Sequence, residues 1–81
     1  VYDVAQWDRL RLLVLAEEPL CRLCLQRGES TLSAEVDHIL AIRFGGPPFD
    51  RLNLQALCKT CHSQKTRREM DSVDRQGGRG G

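Results

Sequence analysis

Apolar and polar positions divide the chain into a short series of elements. In AQWDRLRLLVLAE, residues 5–17, Trp7, Leu10, Leu13 and Val14 recur at helical spacing and predict one apolar stripe. Pro19 ends that helix or bends the chain just beyond it. CRLC at 21–24 forms a tight knuckle, and residues 25–34, with Gly28, Ser30 and Ser33, have turn composition. EVDHI, residues 35–39, alternates in polarity and predicts a short strand, and LQALC, residues 54–58, predicts a second. The stretch between them, LAIRFGGPPFDRLN, has a Gly-Gly-Pro-Pro centre that excludes regular structure. From Lys59 to Met70 there is neither Gly nor Pro, and the composition is helical. The predicted order is helix, knuckle, strand, long loop, strand, knuckle, helix, followed by a flexible Gly-rich tail over 73–81. That is a small α+β domain spanning residues 5–72.

Length sharpens this picture. With 81 residues the chain holds one domain, whose hydrophobic burial alone is marginal. Domains of this size usually carry disulfides or a structural metal. The four cysteines, Cys21, Cys24, Cys58 and Cys61, are the only candidates, and they form two CxxC pairs with 33 residues between Cys24 and Cys58. The N-terminal residues lack the basic start and apolar run of a signal peptide, and no stretch approaches the roughly 20 apolar residues that cross a bilayer. The expected compartment is therefore the cytoplasm, where cysteine clusters are metal sites more often than disulfides.

Each CxxC turn directs two sulfurs at one ion, so two such turns complete a tetrahedral zinc shell. A thioredoxin-like motif needs one CxxC in a βαβ setting, and a C2H2 finger needs two histidines three to five residues apart. Here His38 and His62 are 24 positions apart. A zinc deaminase would show H-x-E before its cysteines, whereas His38 precedes Ile39 and Leu40. A structural zinc on the four cysteines leaves both histidines surplus.

Those histidines have a candidate use. If EVDHI and LQALC pair, and the last helix packs on the hairpin, His62 in its first turn approaches Asp37. A carboxylate and an imidazole make an incomplete site for a divalent ion, with positions open to water and phosphate. His38, on the opposite side of the strand, is then free to act as a general base. An isolated Asp-His pair is more often an ordinary surface or hydrogen-bonded feature, so the case rests on the combination.

EVDHI at 35–39, LNLQALC at 52–58 and CKTCHSQK at 58–65 together resemble the HNH endonucleases, whose fold is the ββα-metal (His-Me finger) core. The two CxxC pairs match the zinc-bearing branch, and LCRLC with VDHI and NLQALCKTCH resembles small stand-alone HNH proteins of bacteriophages and prophages. The resemblance covers about residues 8–70. It implies His38 as the general base, Asn53 as the residue that braces the loop behind it, and Asp37 and His62 as ligands of a catalytic Mg2+ or Mn2+. It also implies hydrolysis of DNA phosphodiesters to a 5′-phosphate and a 3′-hydroxyl, and a setting beside the terminase and other DNA-packaging proteins. The chain departs from the family in the loop, where LAIRFGGPPFD lacks the usual Pro and polar residue ahead of Gly-Gly.

Charge adds little. The net charge is +1, but residues 58–81 carry six Lys/Arg against three acids, a local +3. Lys59, Lys65, Arg67 and Arg68 on the last helix are the candidate phosphate contacts. With four aromatic residues in the chain there is no surplus for base stacking, so weak sequence preference is expected of a monomer or weak dimer. The alternative reading is a non-catalytic zinc module that binds DNA or a packaging partner.

Overall fold

The computed structural model describes residues 3–77, with side chains described to Asp71. The first helix, α1 (Val4–Glu17), starts at Asp3, whose carboxylate accepts the Gln6 N–H at 3.2 Å. It ends ahead of Pro19, as the sequence predicts. A short helix, α2 (Arg22–Gln26), follows within the first knuckle, so the turn predicted over 25–34 begins two residues later, at Arg27. Its chain then folds back, with the Cys21 N–H donating to the Thr31 carbonyl at 2.7 Å and Leu20 bridging Leu32.

Two strands, β1 (Glu35–His38) and β2 (Leu54–Leu57), pair antiparallel, with Asp37 opposite Gln55 and His38 opposite Leu54. Each is one residue shorter than predicted. The connection, residues 39–53, includes two single turns of 3-10 helix at Ile42–Phe44 and Arg51–Asn53. The last helix, α3 (Lys59–Gly77), starts directly after Cys58 and runs past Met70, where composition placed its end. Residues 78–81 of the proposed tail lie outside the described residues.

The hairpin separates two small cores, because side chains along a strand alternate between faces. Leu54, Ala56 and Val36 meet Val14, Trp7, Leu10 and Leu15 of α1. Leu57 turns the other way and packs with the four cysteines and Leu23. Leu13 does not join the α1 stripe and stays 48% exposed. It sits about 100° around the helix from buried Val14, away from the face of Trp7, Leu10, Val14 and Leu15 that meets the sheet.

The free edge of β2 is closed by side chains. The Ala56 N–H, which points away from β1, donates to Glu18 Oε1 at 3.0 Å, and the Leu54 carbonyl accepts from Arg51 Nη1 at 2.9 Å. Arg51 also reaches Glu18 Oε2 at 2.8 Å and Glu17 at 2.8 Å, and Arg22 reaches Glu18 Oε2 at 2.6 Å. This clamp covers an edge that would otherwise offer unpaired backbone groups, and it joins the end of α1 to the loop and the sheet. Burial works against the Glu18 charge. The hydrogen bonds from Arg51, the Ala56 N–H and Arg22 outweigh it and lower the carboxyl pKa. A lowered native pKa stabilises the fold above the unfolded value of about 4.3, and that contribution disappears as pH falls through the native value. Glu18→Gln is therefore expected to lose about 2 kcal/mol in urea denaturation at pH 7. The gap to the native protein should close at acid pH, and equal stability at pH 7 would contradict the clamp.

Candidate active site and metal centre

The two knuckles bring four sulfurs together from distant parts of the chain. Cys21, Cys24, Cys58 and Cys61 are buried and free of disulfides, and their sulfurs all lie within 4.8 Å of one another. Cys24 Sγ is 3.8 Å from Cys58 Sγ and 3.7 Å from Cys61 Sγ. A tetrahedral ion with Zn–S bonds of about 2.3 Å sets its sulfurs about 3.8 Å apart, so this donor set fits a metal such as zinc. Burial opposes ionisation of Cys21, but hydrogen bonds from the backbone of Cys58 and Cys24 bring its thiol down to about 6. A hydrogen bond with Thr31 favours the Cys24 thiolate, yet burial and the neighbouring sulfurs push that thiol up to about 11. Four thiolates cannot share this space unaided, and a divalent cation is what lets them all ionise. Arg27 Nη2 adds positive charge, 3.3 Å from Cys24 Sγ and 3.5 Å from Cys61 Sγ.

His62 is not part of this cluster. It follows Cys61 in the first turn of α3 and turns toward β1, where its Nε2 lies 3.9 Å from Asp37 Oδ1. Bonds of about 2.1 Å to a single ion span up to about 4.2 Å, so the two atoms fit one divalent cation. Asp37 is buried and faces α3. Its other oxygen, Oδ2, accepts from Gln55 Nε2 at 3.1 Å and pairs with Lys65 Nζ at 3.1 Å.

His38 points to the opposite face, as strand alternation requires. Its ring stacks on Trp7 of α1, with centroids 5.3 Å apart and planes 15° from parallel. His38 Nε2 lies 3.0 Å from the Pro48 carbonyl. A carbonyl only accepts, so Nε2 carries the proton and Nδ1 is the basic nitrogen of the neutral ring. The Pro48 carbonyl is held in place from behind. Asn53 Nδ2 donates to the carbonyls of Pro47 at 3.1 Å and Leu40 at 3.0 Å, and Asn53 Oδ1 accepts the Leu40 N–H at 2.8 Å. The Asn53 amide thus continues the strand ladder where its last backbone rung, Ile39 N–H to the Asn53 carbonyl, ends. Gly46 lies against the same point: a Cβ there would stand 1.8 Å from the Leu40 oxygen and 2.9 Å from Asn53 Nδ2.

A profile of the HNH endonuclease family matches residues 21–68, more than half of the chain. The chain belongs to the HNH endonuclease family. It is accordingly a phosphodiester hydrolase with an α+β metal-site fold. A solved structure, the manganese-bound HNH endonuclease of the deep-sea thermophilic bacteriophage GVE2, is 35% identical, with a TM-score of 0.72. That match covers 85% of this chain and 77% of the phage protein. No curated protein sequence matches the chain.

Around the site of this HNH endonuclease stand residues that motif reading alone does not single out. Ala41, Ile42, Arg43, Thr66 and Glu69 line a cleft with Asp37 and His38. Gln55 could have been found by pairing the two strands in register. Arg43 and Thr66 carry no sequence signal and depend on how the loop folds over α3. Trp7, read from its spacing as a core residue, also backs the ring of His38. Of the four candidate phosphate contacts, Lys59 and Arg67 are exposed along one face of α3, and Arg67 shares a groove with His62. Arg68 is exposed on another face, beside Leu23 and Phe44. Lys65 is turned inward.

Two variants probe these arrangements. Cys58→Ser removes a sulfur from a buried cluster in which a bound structural ion would contribute folding free energy directly, so loss of metal content and of helical circular dichroism is expected. A cooperatively folded, metal-free Cys58→Ser protein would contradict the structural role. Gly46→Ala forces the loop away from Leu40 and Asn53, at about 1–3 kcal/mol in urea denaturation. Its cleavage activity should fall further than its stability explains, since the Pro48 carbonyl moves with the loop.

Proposed function

We propose that this HNH endonuclease hydrolyses DNA with a single divalent ion, Mg2+ or Mn2+, held by Asp37 and His62, while a separate structural Zn2+ occupies the four-cysteine cluster. The observation that carries this reading is the pairing of two features at one end of the hairpin. Asp37 and His62 turn an oxygen and a nitrogen toward each other 3.9 Å apart, and His38 is held with Nδ1 as its basic nitrogen. The manganese in the GVE2 phage structure supports a divalent ion of this kind.

In the proposed reaction His38 Nδ1 takes a proton from water, and the resulting hydroxide adds to phosphorus. The bond from phosphorus to the 3′ oxygen breaks, the departing oxygen takes a proton from solvent water, and His38 returns its proton to solvent, leaving a 5′-phosphate and a 3′-hydroxyl. An ion held by Asp37 and His62 would supply stabilisation of the negative charge that develops on the phosphate. Trp7 and the Pro48 carbonyl hold the imidazole in one orientation, and Asn53 holds the loop that presents that carbonyl. Lys59 and Arg67 suit backbone contacts, which confer affinity without sequence information. One site cuts one strand, so a monomer nicks and a double-strand break needs a dimer or two visits.

The phage origin of the similar structure supports a role in phage or prophage DNA processing, and packaging proteins as partners rest on the sequence resemblance alone. A cluster of four free thiols suits a reducing compartment such as the cytoplasm. No helix among the described residues is long and apolar enough to cross a membrane.

Supercoiled plasmid incubated with wild type and His38→Ala tests the assignment, with Mg2+, with Mn2+ and with neither. Wild type is expected to nick only with metal, and His38→Ala to be about 10²–10⁴-fold slower with unchanged zinc content. Equal nicking by His38→Ala would overturn the assignment of the base. Nicking without added metal would overturn the catalytic ion. No nicking by either protein would favour the DNA-binding module.

A further inference from the structure

Lys65 reads from sequence as a phosphate contact, yet its side chain is only 15% exposed. An ammonium has three N–H donors. Lys65 Nζ has three acceptors around it: the His38 carbonyl at 3.0 Å, Asp37 Oδ2 at 3.1 Å and Glu69 Oε2, one helical turn further along α3. The three partners match its donor capacity, and none remains for a phosphate.

The geometry points to Lys65 as a positioning residue that fixes the Asp37 carboxylate and the end of β1 against α3, and that makes no contact with DNA. This rests on the proposed role of Asp37. Lys65 and Gln55 together occupy Oδ2 and leave Oδ1 directed at His62 Nε2. Asp37 therefore offers an ion one oxygen, in one orientation. The bond to the His38 carbonyl ties the backbone of the base to the same ammonium, so base and carboxylate keep a fixed separation. Glu69 holds the ammonium from the other side. The same α3 supplies His62, and one rigid element thus sets both proposed ligands. An arginine in place of Lys65 would keep the charge, but its planar fork cannot reproduce a compact tripod of three acceptors.

The test separates positioning from DNA contact. Binding of a short duplex DNA is measured by fluorescence anisotropy across a salt series without added Mg2+ or Mn2+, and plasmid nicking kinetics are measured with Mn2+. Lys65→Met and Lys65→Arg are expected to lower kcat at least tenfold at unchanged KM. Their DNA affinity should stay within twofold of wild type, with the same salt slope. Arg67→Ala, on the open face, should instead weaken binding and reduce the slope by about one. If Lys65→Met does not fold, as judged by circular dichroism and zinc content, Glu69→Gln takes its place. That variant leaves the ammonium but loosens its anchor, and the same loss of kcat with unchanged binding is expected. A salt slope reduced by about one in Lys65→Met, or full activity in Lys65→Arg or Glu69→Gln, overturns the inference. Failure of wild type to nick with either metal overturns the endonuclease mechanism instead, and the binding arms still decide whether Lys65 touches DNA.

Discussion

Four sulfurs converging on one point are the constraint on which the rest of this domain depends. They join α2, the end of β2 and the start of α3, three segments that otherwise share few apolar contacts. α3 is polar along most of its length, and a helix with so little apolar surface is not held by burial. Its first turn is held because Cys58 and Cys61 are. His62 follows Cys61 directly, so the geometry that satisfies the sulfur cluster also aims this imidazole at Asp37. The four-cysteine cluster and the proposed catalytic metal site are thereby coupled through a single peptide bond.

The hairpin distributes chemistry by the period of a strand. Asp37 and His38 are neighbours in sequence and opposites in space. One faces α3, with its polar partners Gln55 and Lys65, and the other faces α1, where Trp7 backs the ring. A carboxylate suited to a cation and an imidazole suited to a proton are kept apart by the backbone itself. A shift in register by one residue would exchange their surroundings, with Asp37 against the indole and His38 among the cations. The clamp of Glu18 and Arg51 on the outer edge of β2 holds that register from the other side.

The loop between the strands behaves as a third support. Asn53 stands where the ladder ends and supplies, from one side chain, the donor and acceptor that a further strand residue would have supplied. Gly46 lets the chain pass close enough for this to occur. The consequence reaches His38 through two successive carbonyls, with Asn53 holding Pro47 and Pro48 holding the ring. The Pro47–Phe49 segment thus contributes two backbone carbonyls beside the proposed base, and the Phe49 ring lies 6.4 Å from that of Trp7.

Much of this was legible beforehand. Two CxxC pairs identify four sulfurs that converge to fit a metal, because a tight turn sets sulfur spacing locally. Alternation along EVDHI separates Asp37 from His38 for an equally local reason. The order of elements followed from period and from breakers such as Pro19. What was not legible was what depends on neighbours. Leu13 fits the apolar spacing of α1 but misses the row that the sheet covers. Arg68 lies on the helix with Arg67 yet faces another groove. Lys65 has the composition of a phosphate contact, but its three acceptors come from β1 and from the next turn of its own helix. Residue type and spacing determine which atoms are available. Which acceptor a flexible ammonium meets is a matter of segments brought together only when the hairpin and α3 dock, and that the tertiary structure alone decides.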